Sequence, residues 1–298
     1  MPKQYTILMV GHISKDIMVD YKGNEVRLNG GAVSYASTAM ASTGIDSCIL
    51  AKLSKDQQSL KETLSCKGVD WKFDETPCMT SMKNIYLTPD KERREIEIIS
   101  VGQPFTLEEI ENINAKIYYL AGLFVGEIPD DFILPLSKKG KVAVDAQGLI
   151  RDIDGNRHIF FHDWKRKREL LPAIHYLKTD AAEAQVLTGY EDRNKAIEEL
   201  ASYGAKEVML THNTEALLFC DGKLYRSQYT NTNNSGRTGR GDTTFAAYLA
   251  WRVHHGIQES LDYCTALCSL KMESPGRFAL DKEAVLDRMK EKYGYPRS

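Results

Sequence analysis

The residues best placed for chemistry in this 298-residue chain lie in Ser235-Gly236-Arg237-Thr238-Gly239-Arg240-Gly241-Asp242-Thr243-Thr244-Phe245-Ala246-Ala247. A glycine-rich loop runs there directly into a helix that is apolar on several sides. Gly239 and Gly241, on either side of Arg240, let backbone N–H groups face outward, and the helix N-terminus adds partial positive charge. That arrangement suits an anion such as a transferring phosphate. Asp242 at the junction has two readings. It is either an N-cap, worth about 0.5–2 kcal/mol, or a general base held beside the anion hole to take a proton from a substrate hydroxyl.

Three further features carry polar groups to element ends. Gly30-Gly31 precedes a small-residue helix beginning near Ala32, which permits either a tight turn or close backbone approach to a ligand. Asp16 follows the first strand, where open α/β sheets bind ligands, although a surface carboxylate is also ordinary there. Asp180 and Glu183 have the spacing of a capping box, with Asp180 at the N-cap. Carboxylates at such a junction can also hold water around a magnesium ion. The two best-known nucleotide loops are absent: there is no GxxxxGK[ST], and Gly11-His12-Ile13-Ser14 rather than GxGxxG follows strand one.

The elements that must position these residues alternate short β-branched runs with helical patterns, which predicts an α/β fold with a mostly parallel sheet. Expected strands are Ile7–Val10, Cys48–Leu53, Ile117–Leu120, Val142–Val144, Ile174–Leu177 and Val208–Leu210. A hairpin is expected at Ala216–Cys220 and Leu224–Tyr229. Helices are expected at Ala32–Thr43, ended by Gly44, and at Thr243–His254, Leu261–Met272 and Lys282–Lys290. Lys83–Thr88 and Glu95–Val101 flank the charged turn Pro89–Arg94, a hairpin signature. With Ile17–Arg27, turning at Lys22-Gly23-Asn24, it predicts a small β lid over roughly 17–27 and 83–101. No repeat or Pro/Gly-rich linker interrupts 1–298, so one domain with an inserted lid is expected.

Composition narrows the function. Hydrophobic residues at 42% and charged residues at 27% fit a globular chain rather than a disordered one. A net charge of −2 gives no global electrostatic basis for binding nucleic acid or an acidic membrane. No apolar stretch reaches transmembrane length, and the basic run Lys165–Arg168 is read as a solvated face. The six cysteines form no CxxC pair, and Cys264 and Cys268 fit an apolar helix face better than a zinc site. A cytoplasmic location is expected.

Together these features resemble the ribokinase-like (PfkB) family of carbohydrate and nucleoside kinases. Thr238-Gly239-Arg240-Gly241-Asp242 is similar to the family's Thr-Gly-Ala-Gly-Asp signature, and Gly30-Gly31 through Gly44 to its N-terminal one. Asp16 falls on the substrate-binding aspartate, and Asp180 with Glu183 on Asn-x-x-Glu. Gly30–Tyr35 and Asp145–Arg151 resemble stretches of myo-inositol kinases.

The resemblance implies a three-layer ribokinase-like sandwich and ATP-dependent phosphorylation of a small polyol or sugar, with Asp242 as base and the Gly239, Arg240 and Gly241 backbone stabilising charge. Asp16, Gly30, Gly31 and Tyr35 would meet the acceptor. Asp180, Thr211, Thr238 and Gly276 would meet the nucleotide, the Lys271–Gly276 region forming an adenine wall. Asp180 and Glu183 would hold Mg²⁺ through water. A monovalent cation and a lid-mediated homodimer also belong to the family's repertoire. Departures are visible: Arg240 replaces alanine, Tyr35 an asparagine, Asp180 an asparagine, and Thr211–Ala216 lacks the two glycines of the nucleotide turn. Arg240 either adds a phosphate contact or points to solvent. A nucleoside kinase and a catalytically silent ligand-binding or regulatory protein on the same scaffold are the alternatives.

Overall fold

Apolar runs bounded by turn residues become the strands of one large sheet. The computed structural model describes residues 3–88 and 94–295. Its strands are β1 (Gln4–Val10), β2 (Ser14–Val19), β3 (Glu25–Gly30), β4 (Ser47–Leu53), β5 (Val69–Glu75), β6 (Thr80–Tyr86), β7 (Arg94–Ser100) and β8 (Asn114–Leu120). They continue with β9 (Lys141–Asp145), β10 (Arg151–Ile153), β11 (Ile159–Phe161), β12 (Tyr176–Asp180), β13 (Glu207–Thr211), β14 (Glu215–Cys220) and β15 (Lys223–Gln228). Nine of them form one sheet in the order β15-β14-β13-β12-β9-β8-β1-β4-β5. It is parallel from β13 to β5, and β14 and β15 add antiparallel at one edge.

Both faces of this sheet are covered. Along β1, Ile7 and Met9 enter one core while Leu8 and Val10 enter the other, because successive side chains of a strand alternate faces. Burial on both sides explains why these strands are apolar runs rather than alternating ones. The α/β class with a mostly parallel central sheet expected from the sequence is therefore the observed one. Helix Ala32–Thr43, whose small residues permit close approach, packs against helix Arg240–Arg252.

The lid is a four-stranded sheet, β3-β2-β6-β7. It reaches further than expected, over Ser14–Gly30 and Thr80–Ser100. Asp16 thus sits within β2, opposite Leu28 of β3 and Met82 of β6. Residues 89–93 of the expected Pro89–Arg94 turn lie outside the described residues. The β7 edge is partly covered: Ile98 N–H donates to the Arg157 carbonyl at 2.9 Å, beside a Glu97–His158 bridge. The β3 side stays open, with Val26 and Leu28 exposed.

Other boundaries shift. The strand expected at Ile174–Leu177 runs Tyr176–Asp180, and the helix expected at Thr243–His254 runs Arg240–Arg252. β5 and the β10-β11 hairpin had no sequence counterpart. Within the Lys165–Arg168 run, Arg166 pairs with Asp130, Asp131 and Glu169, and Lys167 with Asp163, so the run is an ion-pair cluster more than a bare solvated face. All six cysteines are free, and Cys264 and Cys268 are buried. Among the described residues no helix is long and apolar enough to cross a membrane.

Candidate active site

The C-terminal ends of β9, β12 and β13 converge on the N-terminus of helix Arg240–Arg252, the region where open α/β sheets place ligands. Gly239 is the N-cap of that helix, at φ 78°, in the left-handed region. The helix therefore starts at Arg240, and Asp242 lies inside its first turn. This corrects the N-cap reading of Asp242: glycine supplies the turn, and the carboxylate is left to face the cleft.

A polar cavity of about 280 Å³ opens over this helix end, lined among others by Lys178, Asp180, Glu183, Thr211, Arg237 and Arg240. Arg237 Nη2 and Arg240 Nη1 both donate to Asn213 Oδ1, at 3.0 and 2.9 Å. Arg240 thus bends along the cleft instead of pointing to solvent. Asp180 and Glu183 form the expected capping box, each carboxylate accepting the other's backbone N–H at 2.8 Å. Among the described residues no three His, Cys, Asp or Glu side chains form a metal cage. A pair of carboxylates lining this polar cavity still fits Mg²⁺, which keeps several waters.

Beneath the cleft lies a buried charge cluster. Lys178 Nζ is 3.0 Å from Asp145 and 3.7 Å from Glu183. Burial opposes its charge, but Asp145, Glu183, Asp180 and Asp242 outweigh this and hold the ammonium above the usual lysine range. Burial raises Glu183 well above an ordinary carboxylate, against the pull of Lys178. Burial also lifts Asp242 to about 6, with Asp145 adding to the rise and Lys178, Lys271 and Arg151 opposing it. A base poised one unit below neutrality is ionised at working pH and retains affinity for a proton.

A smaller cavity of about 100 Å³ adjoins on the lid side, lined by Ser14, Asp16, Gly31, Tyr35, Asn84 and Arg151 among others. Gln147, Thr238, Gly239 and Asp242 line both cavities. Arg151 is buried and donates to Gln147 Oε1 at 3.0 Å. The Ser14 hydroxyl is buried with no hydrogen-bond partner, as expected of a group whose partner is a ligand.

Asp242, Gly239, Arg240, Gly241, Thr238, Asp180, Glu183 and Thr211 are thus brought together around one cavity, and Asp16, Gly31 and Tyr35 around its neighbour. Gly30, at the end of β3, abuts the Asp16 carboxylate. Of the region expected as an adenine wall, Lys271 and Gly276 lie outside the lining of the polar cleft. Lys271 is buried beneath the loop, and Gly276 lines a third, more apolar cavity with Met18, Val26 and Leu28 of the lid. Lys178 and Asn84 belong to the site without a motif to announce them, while Arg237 and Asn213 lie in stretches marked in the sequence without a role of their own. The Asp145–Arg151 stretch was marked by resemblance, but its Asp145, Gln147 and Arg151 carried no assigned role.

The model of the pfkB family carbohydrate kinases matches residues 7–281, and the chain belongs to that family. It is a phosphotransferase of the ribokinase-family sugar and polyol kinase kind. A pyrophosphate-dependent kinase in the ribokinase family, complexed with a pyrophosphate analog and myo-inositol, is 30% identical. It superposes with a TM-score of 0.87 over 95% of this chain and 100% of its own. A pyrophosphate-dependent myo-inositol-1 kinase, converted by mutation into a myo-inositol-3 kinase, also gives 0.87 at 30% identity, covering 97% of this chain and 100% of its own. The cytidine kinase of Thermococcus kodakarensis is 25% identical over 229 residues, 73% of this chain and 77% of its own length.

Proposed function

We propose that the chain transfers a phosphoryl group from inorganic pyrophosphate to a hydroxyl of myo-inositol, with Asp242 as the base. The observation that carries this is the position of Asp242 in the wall shared by the two cavities. Asp242 accepts the proton of an acceptor hydroxyl bound on the lid side, as that oxygen attacks phosphorus held in the polar cleft. The bond from phosphorus to the bridging oxygen breaks, and orthophosphate leaves towards Arg237, Arg240 and Lys178. Backbone N–H groups of Gly239, Arg240 and Gly241 receive the charge on the transferring group. Asp180 and Glu183 would hold Mg²⁺ through water; when bound, it neutralises charge on the donor oxygens.

A short donor is favoured because Asn213 ties Arg237 and Arg240 together beside Thr211, the turn that lacks the glycines of a nucleotide loop. The two pyrophosphate-dependent relatives support the same choice. For the acceptor, Asp16, Asn84, Arg151 and the orphaned Ser14 hydroxyl supply the donors and acceptors a polyol requires.

A nucleoside acceptor is the second reading. It is favoured by the adjoining cavity of about 650 Å³ with Val26, Leu28, Tyr35 and Pro275 in its walls, apolar enough for a base. The exposed Val26 and Leu28 would alternatively seat a second copy in a lid-mediated dimer. Free thiols fit a reducing cytoplasm.

The test crosses two donors, pyrophosphate and ATP, with myo-inositol, hexoses, pentoses and nucleosides, following phosphorus by NMR. Inositol phosphate formed fastest from pyrophosphate is the expected product. Faster turnover with ATP would reassign the donor, and a phosphorylated nucleoside the acceptor. Binding of both ligands without transfer would leave a silent scaffold.

A further inference from the structure

A loop that aims its N–H groups at phosphate must turn carbonyls elsewhere, and here a buried cation meets them. Lys271, in the last turn of helix Ile257–Met272, is 2% exposed. Its Nζ donates to the carbonyl oxygens of both Gly236 and Thr238 and lies 4.9 Å from the Tyr35 ring centroid. The helix end closes on the same loop. Gly236 N–H donates to the Met272 carbonyl at 2.8 Å, and a Cβ on Gly236 would collide with the Ser274 carbonyl. Partial negative charge thus gathers from two loop carbonyls and a helix C-terminus. Burial lowers the ammonium to about 8, while Cys268 and Asp242 favour its charge.

A single positive charge held by backbone carbonyls is the arrangement by which proteins strip and hold a potassium ion. Carbonyls already engaged by an ammonium do not fit a second cation at the same point, in contrast to the monovalent cation of the family's repertoire. We propose that Lys271 is a built-in monovalent cation: it fixes the Gly236 and Thr238 carbonyls so that the Gly239–Gly241 N–H groups stay aimed at phosphate, and it makes an added monovalent ion unnecessary. The proposal rests on the reading of Gly239–Gly241 as the anion hole, and it casts Lys271 as a positioning residue.

The experiment compares wild type, Lys271→Ala and Lys271→Met in buffers whose only monovalent cation is potassium, ammonium or the bulky tetramethylammonium. Phosphoryl transfer to myo-inositol and calorimetric binding of imidodiphosphate are both measured. Wild type is expected to be indifferent to the cation. Lys271→Ala, which opens a carbonyl-lined hole, should lose about 10- to 100-fold in kcat, the range of a lost charge-assisted hydrogen bond. Its acceptor KM should change less, and ammonium or potassium should restore activity where tetramethylammonium does not. Lys271→Met fills the hole and should lose activity without rescue. If Lys271→Ala does not fold, the cation independence of wild type and the loss in Lys271→Met decide the matter. Imidodiphosphate binding needs no turnover, so the same pattern there supports the proposal even if the donor or acceptor is misassigned. Potassium-dependent wild type, a fully active Lys271→Ala, or a folded Lys271→Ala that no cation rescues would each overturn it.

Discussion

The ring of Tyr35 packs against the Cα of Gly239 so closely that no Cβ fits between them. This contact joins the helix after Gly31, on the acceptor side, to the first residue of the anion hole. It also explains the departure from asparagine at Tyr35, because the aromatic ring braces the loop as well as lining the acceptor cavity. Gly239→Ala would meet both the ring and a φ of 78°, a conformation that costs a side chain about 1–2 kcal/mol. Displacing the N–H donors should cut kcat about 100-fold. Adding Tyr35→Ala makes room for the new Cβ and is expected to restore part of that loss in steady-state kinetics.

Asp242→Asn separates activity from stability. Turnover should fall about 10²- to 10⁴-fold, while imidodiphosphate binding persists. Its folded-state value of about 6 is raised from 3.8, so the fold favours the protonated form. That contribution is fully present below about pH 3.8 and is lost as pH rises through about 6. Asparagine removes the ionisation. Tm should therefore rise at about pH 8, by the equivalent of roughly 1–2 kcal/mol after allowing for water in the cleft, and change little near pH 4. A Tm loss at pH 8 would show that the carboxylate is held by contacts stronger than its burial.

Asp145 tunes the same base. Its charge pushes Asp242 up while Lys178 pulls it down. The acid limb of kcat/KM should fall near pH 6 in wild type. Asp145→Asn removes the repulsion and releases Lys178 towards Asp242, so both effects move the limb to lower pH. An unmoved limb would assign it to another group.

The parts of the site that were legible in the sequence are those made by neighbours along the chain. The capping box of Asp180 and Glu183, the glycines beside Arg240 and the Gly30-Gly31 pair each depend on a few consecutive residues. Lys178 with Asp145, Arg240 with Asn213 and Lys271 with Gly236 join residues 33, 27 and 35 positions apart. The first pair meets because β9 lies beside β12 with Lys178 opposite Asp145, a register no local pattern records. The lid was legible as alternating strands, but its ends were not. Ser14–Asp16 and Leu28–Gly30 pair across β2 and β3 without the turn residues that mark a boundary. The burial of Lys271 left no local signal: a lysine near a helix end is ordinarily solvated, and only the packing of that helix on the loop buries it.

Lys178 is the cation on which the buried carboxylates depend. Lys178→Met keeps its bulk but leaves Asp145 and Glu183 without their ammonium, 3.0 and 3.7 Å away in the native protein. Breaking a buried pair from one side costs about 3–5 kcal/mol. Tm should drop accordingly at neutral pH in a thermal melt beside wild type. A variant as stable as wild type would mean that water reaches the cluster.

The donor side is tested through Arg237 and Arg240. Both guanidiniums converge on the Asn213 side-chain oxygen, a neutral acceptor that a phosphate oxygen outcompetes as a partner. Each charge-assisted bond to the donor is worth about 1.5–3 kcal/mol. Arg237→Ala and Arg240→Ala should therefore each raise the KM for pyrophosphate about 10- to 100-fold, with the KM for the acceptor little changed. Because both charges face one anion, the double variant should fall short of the sum of the single effects. Asn213→Ala removes the tether without removing charge, so its effect should be the smallest of the set. A rise in acceptor KM instead, with the donor unaffected, would move the arginines out of the phosphate site and reopen the cleft to a nucleotide.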